Sequence, residues 1–128
     1  MSTEITNGVK VSVNVNFNTR FSSVKDNRFI YNYTIKITNK SNYPMKLKER
    51  EWYIFDTLDF PRIVKGEGVV GEQPTIEPGD SFTYTSSCDL QSTLGKMEGN
   101  YIFENMITNE KLKVKIPMFT LMYPHLLN

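Results

Sequence analysis

The sequence predicts an all-β domain built as a two-sheet sandwich. Two observations carry that prediction: apolar residues recur with a period of two, and no segment sustains an apolar period of 3.6. A third supports it, because the six prolines and seven glycines fall mostly between the alternating runs, where they would break helices.

Val11, Val13, Val15 and Phe17 alternate with Ser12, Asn14 and Asn16, describing a strand with one buried and one wet face. Phe29, Tyr31, Tyr33, Ile35 and Ile37 repeat the pattern against Asn32, Thr34, Lys36 and Thr38. Both runs are rich in β-branched and aromatic residues, which suit a pleated, half-buried surface. A looser polar connection over 18–27 separates them, and NKSNYP over 39–44 reads as a turn. Residues 45–48 and 51–56 read as short strands, the second carrying the single tryptophan, Trp52. Residues 81–87 form another strand, with Phe82 and Tyr84 on one face and Ser81, Thr83 and Thr85 on the other. Residues 96–104 and 112–116 follow, joined by a turn around 108–110, and Phe119 and Leu121 mark a last short strand. Short strands punctuated by turn residues indicate a sandwich or barrel. The IEPGDSF stretch over 76–82, a hydrophobe and a Pro-Gly turn before an alternating strand, is a common strand entry in immunoglobulin-like and fibronectin type III-like sandwiches.

Bulk properties narrow the function. At 128 residues the chain has the length of one domain, residues 1–128, with 39% hydrophobic and 23% charged residues. Fifteen basic residues against fourteen acidic ones leave no electrostatic footprint for nucleic acid or an anionic membrane. Cys88 stands alone, so no internal disulfide forms, which fits a reducing compartment. The first eight residues, MSTEITNG, lack the basic and apolar regions of a signal peptide, and no stretch approaches a membrane span. The expected location is cytoplasmic.

Residues 64–74, VKGEGVVGEQP, are the most informative segment. Gly66, Gly68 and Gly71 match G-x-G-x-x-G, the spacing that holds a dinucleotide pyrophosphate when the loop opens a helix. Here Gln73-Pro74 and Pro78-Gly79 follow at once, so no such helix forms, and Glu67 and Glu72 oppose phosphate unless Arg62 and Lys65 offset them. Three glycines in six residues either satisfy the backbone of a compact connection or present a rim of N–H groups to an anion or a partner's carboxylate. Loops on rigid sandwiches often carry binding. The candidate binding residues are therefore Gly66, Glu67, Gly68, Val69, Val70, Gly71, Glu72 and Gln73, together with Arg50 and Trp52. Thr85, Ser86 and Ser87 are their polar neighbours by type. Trp52 is expected to pack in the core, with a binding anchor as the other reading.

A longer pattern is more specific than the glycines. GEGVVGEQP over 66–74 is followed by Ile76, Pro78 and Gly79, then Phe82, Tyr84, Thr85, Ser86 and Cys88, then Gly95, Met97, Gly99 and Tyr101. With Arg50, Trp52, Ile54 and Asp56 upstream and Ile116, Pro117, Phe119, Thr120, Leu121 and Pro124 downstream, this resembles the ApaG family from about Val11 onward. The resemblance implies an immunoglobulin-like or fibronectin type III-like sandwich. It also implies bacterial relatives often encoded near a diadenosine-polyphosphate hydrolase and linked to cobalt and magnesium tolerance. Eukaryotic relatives carry the domain inside F-box adaptors and a DNA-polymerase-interacting protein, as an interaction module. The family usually has a histidine before the tryptophan; this chain has Glu51, so no role of that histidine carries over.

Catalytic chemistry finds little support. His125 is the single histidine, and a thiol paired with it is a weaker reading than a small buried Cys88. One cysteine and one histidine do not make a zinc site, and Asp56, Asp59, Glu67 and Glu72 lack the spacing of a calcium loop. The expectation is a non-enzymatic module without catalytic residues, resident metal or cofactor, which uses loop 64–74 and the adjacent sheet edge to bind a protein partner or form a homodimer. The alternative is a pyrophosphate or nucleotide, or a divalent cation such as Co²⁺ or Mg²⁺.

Overall fold

The computed structural model describes residues 1–124. Nine strands follow in chain order: β1 (Ser2–Thr6), β2 (Val9–Phe17), β3 (Phe29–Asn39), β4 (Met45–Asp56), β5 (Arg62–Glu67), β6 (Thr75–Ile76), β7 (Ser81–Leu90), β8 (Leu94–Asn105) and β9 (Lys111–Met122). All pairings are antiparallel. One sheet has the order β1-β2-β3-β7 and the other β5-β4-β8-β9, with β6 added to β4. Among the described residues no helix is long and apolar enough to cross a membrane.

The period-two pattern sets the layers. Phe29, Tyr31, Tyr33, Ile35 and Ile37 all face inward and are buried, as the alternation predicts. Val9, Val11 and Val13 are buried on β2, while Val15 and Phe17 are partly covered at the strand's end. The facing sheet supplies Leu47, Trp52, Ile54, Met97, Tyr101, Phe103, Val114, Ile116 and Leu121. Phe82 and Tyr84 share the inner face of β7. Tyr84 and Tyr101 join their hydroxyls across the two layers, and burial pushes both well above the ordinary tyrosine value.

Several elements differ from the expectation. Residues 45–48 and 51–56 form one strand, interrupted by a bulge at Lys48 where the register with β8 shifts between Leu47 and Glu49. Residues 112–116 and 119–121 likewise merge into β9, which runs through Pro117; the register with β8 shifts between Met97 and Gly99. A bulge is where a residue without an N–H is tolerated in a sheet. Residues 64–67, expected within the glycine loop, lie in β5. β1 completes the first sheet, and its short polar sequence carries only a faint alternation.

The edges of the two sheets are treated differently. On one side β1 and β2 pack against β9, and the Asn7 side chain donates to the Lys113 carbonyl at 2.8 Å. On the other side the terminal strands β5 and β7 each have, among the described residues, a partner on one flank only. The glycine-rich segment lies on this second, open side.

Candidate functional site

The segment following β5 is a tight hairpin. Val69 and Glu72 exchange both backbone hydrogen bonds, at 2.8 and 2.9 Å. Between them Val70 and Gly71 have φ of 43° and 80°, the positive pair of a type I′ turn. Asn-Gly is the usual occupant of such a turn, and a β-branched residue at positive φ is a genuine outlier. Val70 is also 55% exposed. Its neighbour Val69 is fully buried and anchors the hairpin to the core.

Each glycine has its own reason. Gly66 pairs with Arg50 in the β4–β5 ladder, and a Cβ there would lie 2.7 Å from the Arg50 guanidinium. Gly68 has φ +61°, and a Cβ would lie 2.0 Å from the Glu72 carbonyl oxygen. Gly71 needs glycine for its φ alone, since nothing lies within 4 Å of its missing side chain.

Arg50 fastens this arrangement. Its Nη1 donates to the carbonyls of Glu67 and Gly68 at 3.1 and 2.9 Å. Gln73 Nε2 and the Gly68 N–H both donate to the Lys48 carbonyl at 2.9 Å, using the bulge as an anchor. The N–H groups of Gly68, Val69 and Glu72 are thus spent on backbone carbonyls. Glu67 and Glu72 point to solvent. Glu51, at the family's histidine position, takes a hydrogen bond from the Tyr53 hydroxyl and lies 4.0 Å from Lys65 on the outer face.

Beneath the hairpin, between β5 and β7, lies a cleft of about 360 Å³. Alternation places Arg50, Trp52, Ile54, Arg62 and Val64 on its β4–β5 wall. Tyr33, Tyr84, Ser86 and Cys88 form the opposite wall, with Val69, Val70 and Gly71 at one end. Trp52 is 3% exposed and meets Tyr33 and Phe119 edge-on, at centroid distances of 5.5 and 5.9 Å. It is a core residue whose ring also lines the cleft floor. Of its expected polar neighbours, Ser86 and Ser87 line the cleft, whereas Thr85 bonds Thr34 on the outer face at 3.0 Å.

Arg62 closes the far end. Its Nη1 lies 3.4 Å from Asp89 Oδ1, its Nη2 donates to the Asp89 carbonyl and approaches Cys88 Sγ at 3.8 Å, and its buried Nε has no hydrogen-bond partner among the described residues. Burial pushes the Cys88 thiol up to about 11, against the opposing pull of Arg62, so it is no ready nucleophile. The partner proposed for that thiol by type, His125, lies outside the described residues. In the sequence Arg62 stands out only as a charge beside the loop; its inward phase on a strand is the missing signal, hidden because the glycine-rich residues 64–67 look like loop.

The carboxylates stay apart. Asp56 sits at the end of β4 and accepts from Gln91 N–H at 2.7 Å, Ser92 Oγ and Leu58 N–H. Burial alone would raise its pKa, but these donors and the nearby Arg62 charge outweigh it and hold the group below its ordinary value. Among the described residues no three of His, Cys, Asp and Glu gather into a group that could hold a metal ion.

Comparison with known proteins agrees with the motif pattern. Residues 19–105 match the model of the ApaG domain. Protein ApaG of Shewanella woodyi is 42% identical over 128 residues, spanning 98% of this chain and 99% of that one. Protein ApaG of Brucella anthropi is 41% identical over 120 residues, covering 94% and 92%. The crystal structure of a Bordetella pertussis protein called ApaA superposes with a TM-score of 0.86 at 33% identity, covering 95% of each chain. The chain belongs to the ApaG family.

Proposed function

We propose that this protein is a non-enzymatic binding module that takes a protein partner along the open side of the sandwich, at β5 and the hairpin after it. The observation that carries this reading is apolar exposure concentrated beside an edge strand that is paired on one flank. Phe60, Leu58, Ile63 and Val70 are 84%, 68%, 62% and 55% exposed on and around β5. An edge strand leaves a row of backbone donors and acceptors that an extended partner segment can pair with, while exposed side chains supply specificity. The strained Val70 fits the same account, since backbone strain persists where function requires a particular side chain.

Pyrophosphate or nucleotide at the glycine loop draws less support, because three of its N–H groups are already engaged. A divalent-cation role draws less as well, because the loop acids do not converge. Calorimetry with pyrophosphate, nucleotides, Mg²⁺ and Co²⁺ tests both, and heat at any of them would reopen that reading.

The partner reading is tested with F60D/I63D. Both side chains are exposed, so the variant keeps its urea midpoint. A protein that binds the wild type saturably, as read by sedimentation velocity, is lost from the variant; a second copy of the chain would appear there as a dimer. Retention of the complex by the folded variant overturns the assignment to β5.

A further inference from the structure

We infer that the free edge of β7 is a pairing surface for a second copy of this chain: two β7 strands run antiparallel about a two-fold axis at Tyr84 and join their four-stranded sheets into one. The surface is separate from the outer face of β5, which belongs to the other sheet.

Among the described residues, the strands that end the two sheets are guarded unequally. An edge strand is a template for another chain, and proteins blunt it with shortness, lysines, prolines or bulges. β1 has five residues and packs, with β2, against β9. β9 carries Lys111, Lys113, Lys115 and Pro117. β5 has six residues, among them Arg62, Lys65 and Glu67. β7 is ten residues long and keeps an unshifted register with β3 from Ser81 to Leu90. Its residues 81–88 include neither a charge nor a proline. It is the unguarded edge.

The direction of its backbone groups follows from side-chain contacts. Arg62, on β5, donates to the Asp89 carbonyl, so that carbonyl points away from β3. Opposed residues in an antiparallel ladder alternate between pairs that exchange backbone hydrogen bonds and pairs that do not, the latter with closer side chains. Asp89↔Ile30 is of the second kind. So are Thr85↔Thr34 and Ser81↔Thr38, whose hydroxyls meet at 3.0 and 2.8 Å. The N–H and C=O groups of Ser81, Thr83, Thr85 and Ser87 therefore face the free edge, and these four residues are exposed. Arg62 occupies the edge at Asp89, which leaves 81–87 open, a stretch centred on Tyr84.

That stretch is complementary to itself. With Tyr84 on the axis, Thr83 faces Thr85 of the second copy and Ser81 faces its Ser87, each pair exchanging both backbone bonds. This reciprocity is what a two-fold interface requires. The hydroxyls extend the ladder already formed with β3, a favourable cross-strand pairing in which no like charges meet. On the inner face the same register sets Phe82 of the second copy opposite Ser86, which lines the β5–β7 cleft. Phe82 is only partly buried in the single chain, and Val64, Val69 and Val70 of that cleft offer it apolar cover.

The test is sedimentation equilibrium of the whole chain. The wild type should show a monomer–dimer equilibrium with a dissociation constant below about a millimolar. T83K/T85K sets lysine against lysine on both sides of the axis and should weaken association by about tenfold or more. T83E/T85E should do the same, and an equimolar mixture of the two should recover association as a heterodimer, which chains that had failed to fold could not do. T85P removes an N–H that faces the edge rather than β3, so the fold tolerates it and the dimer is lost. F60D/I63D, which tests the β5 reading, should leave this dimer intact, so the two readings fail separately. A wild type that stays monomeric up to about a millimolar overturns the inference. So does a dimer that survives both T83K/T85K and T85P, or one that F60D/I63D abolishes while T83K/T85K leaves it.

Discussion

Replacing Gly68 by alanine separates the two reasons a glycine can be required. Gly68 has φ +61°, and a left-handed conformation costs a residue with a Cβ about 1–2 kcal/mol. Its Cβ would also sit 2.0 Å from the Glu72 carbonyl oxygen, far inside contact distance, so that carbonyl must move. The same oxygen accepts the 2.8 Å hydrogen bond from Val69 N–H, and Val69 is fully buried. An N–H orphaned there costs about 1–3 kcal/mol more. The total is about 2–5 kcal/mol, a large share of the roughly 5–15 kcal/mol that holds an ordinary domain together. Gly71→Ala meets no atom within 4 Å and carries the conformational cost alone, about 1–2 kcal/mol. Urea unfolding followed by Trp52 fluorescence measures both. Equal losses for the two variants would refute the assignment of Gly68 to close approach and of Gly71 to turn geometry.

Other perturbations have equally definite signs. Val70→Asn places a favoured residue at a positive-φ turn position and should raise stability by about 1 kcal/mol; a lower urea midpoint would show that Val70 packing outweighs its strain. Trp52→Ala removes the buried ring that meets Tyr33 and Phe119 and should cost about 3–5 kcal/mol by circular dichroism, whereas a loss below about 1 kcal/mol would mark the ring as a surface anchor. Asp56 has a folded pKa below its ordinary value, so the stability it contributes is present above that ordinary value and is lost as pH falls through the folded one. The acid limb of the stability profile should therefore flatten in Asp56→Asn, which also loses about 1–3 kcal/mol at neutral pH because an amide cannot accept from all three donors. An unchanged acid limb would assign that titration to other groups.

The layers were legible because alternation is a local signal with a global meaning. Every second residue from Phe29 to Ile37 is buried, and nothing in that run competes with the pattern. Breaks in the pattern misled where they stood for bulges. Lys48 and Pro117 interrupt alternation without ending a strand, since a bulge shifts phase while the ladder continues. β5 looks like loop in the sequence because its glycine at position 66 suits a loop, yet that glycine makes room for Arg50 between paired strands. The cleft was the least visible feature. It joins Arg62 and Val64 to Ser86 and Cys88, more than twenty positions away in sequence, and only the closure of one sandwich side and the opening of the other brings them together. The family, by contrast, was fully readable from the spaced motif and holds across nearly the whole chain.

The central claim, that the open side at β5 is where this protein meets its partner, is tested most directly by site-specific photocrosslinking in living cells. A photoreactive residue replaces Ile63 in one strain and Lys36, on the other sheet, in a second. The account predicts a discrete adduct of defined mass at position 63, absent at position 36 and lost when Phe60→Asp is added. Adducts of the same mass and yield at both positions, or a discrete adduct at position 36 alone, would contradict it.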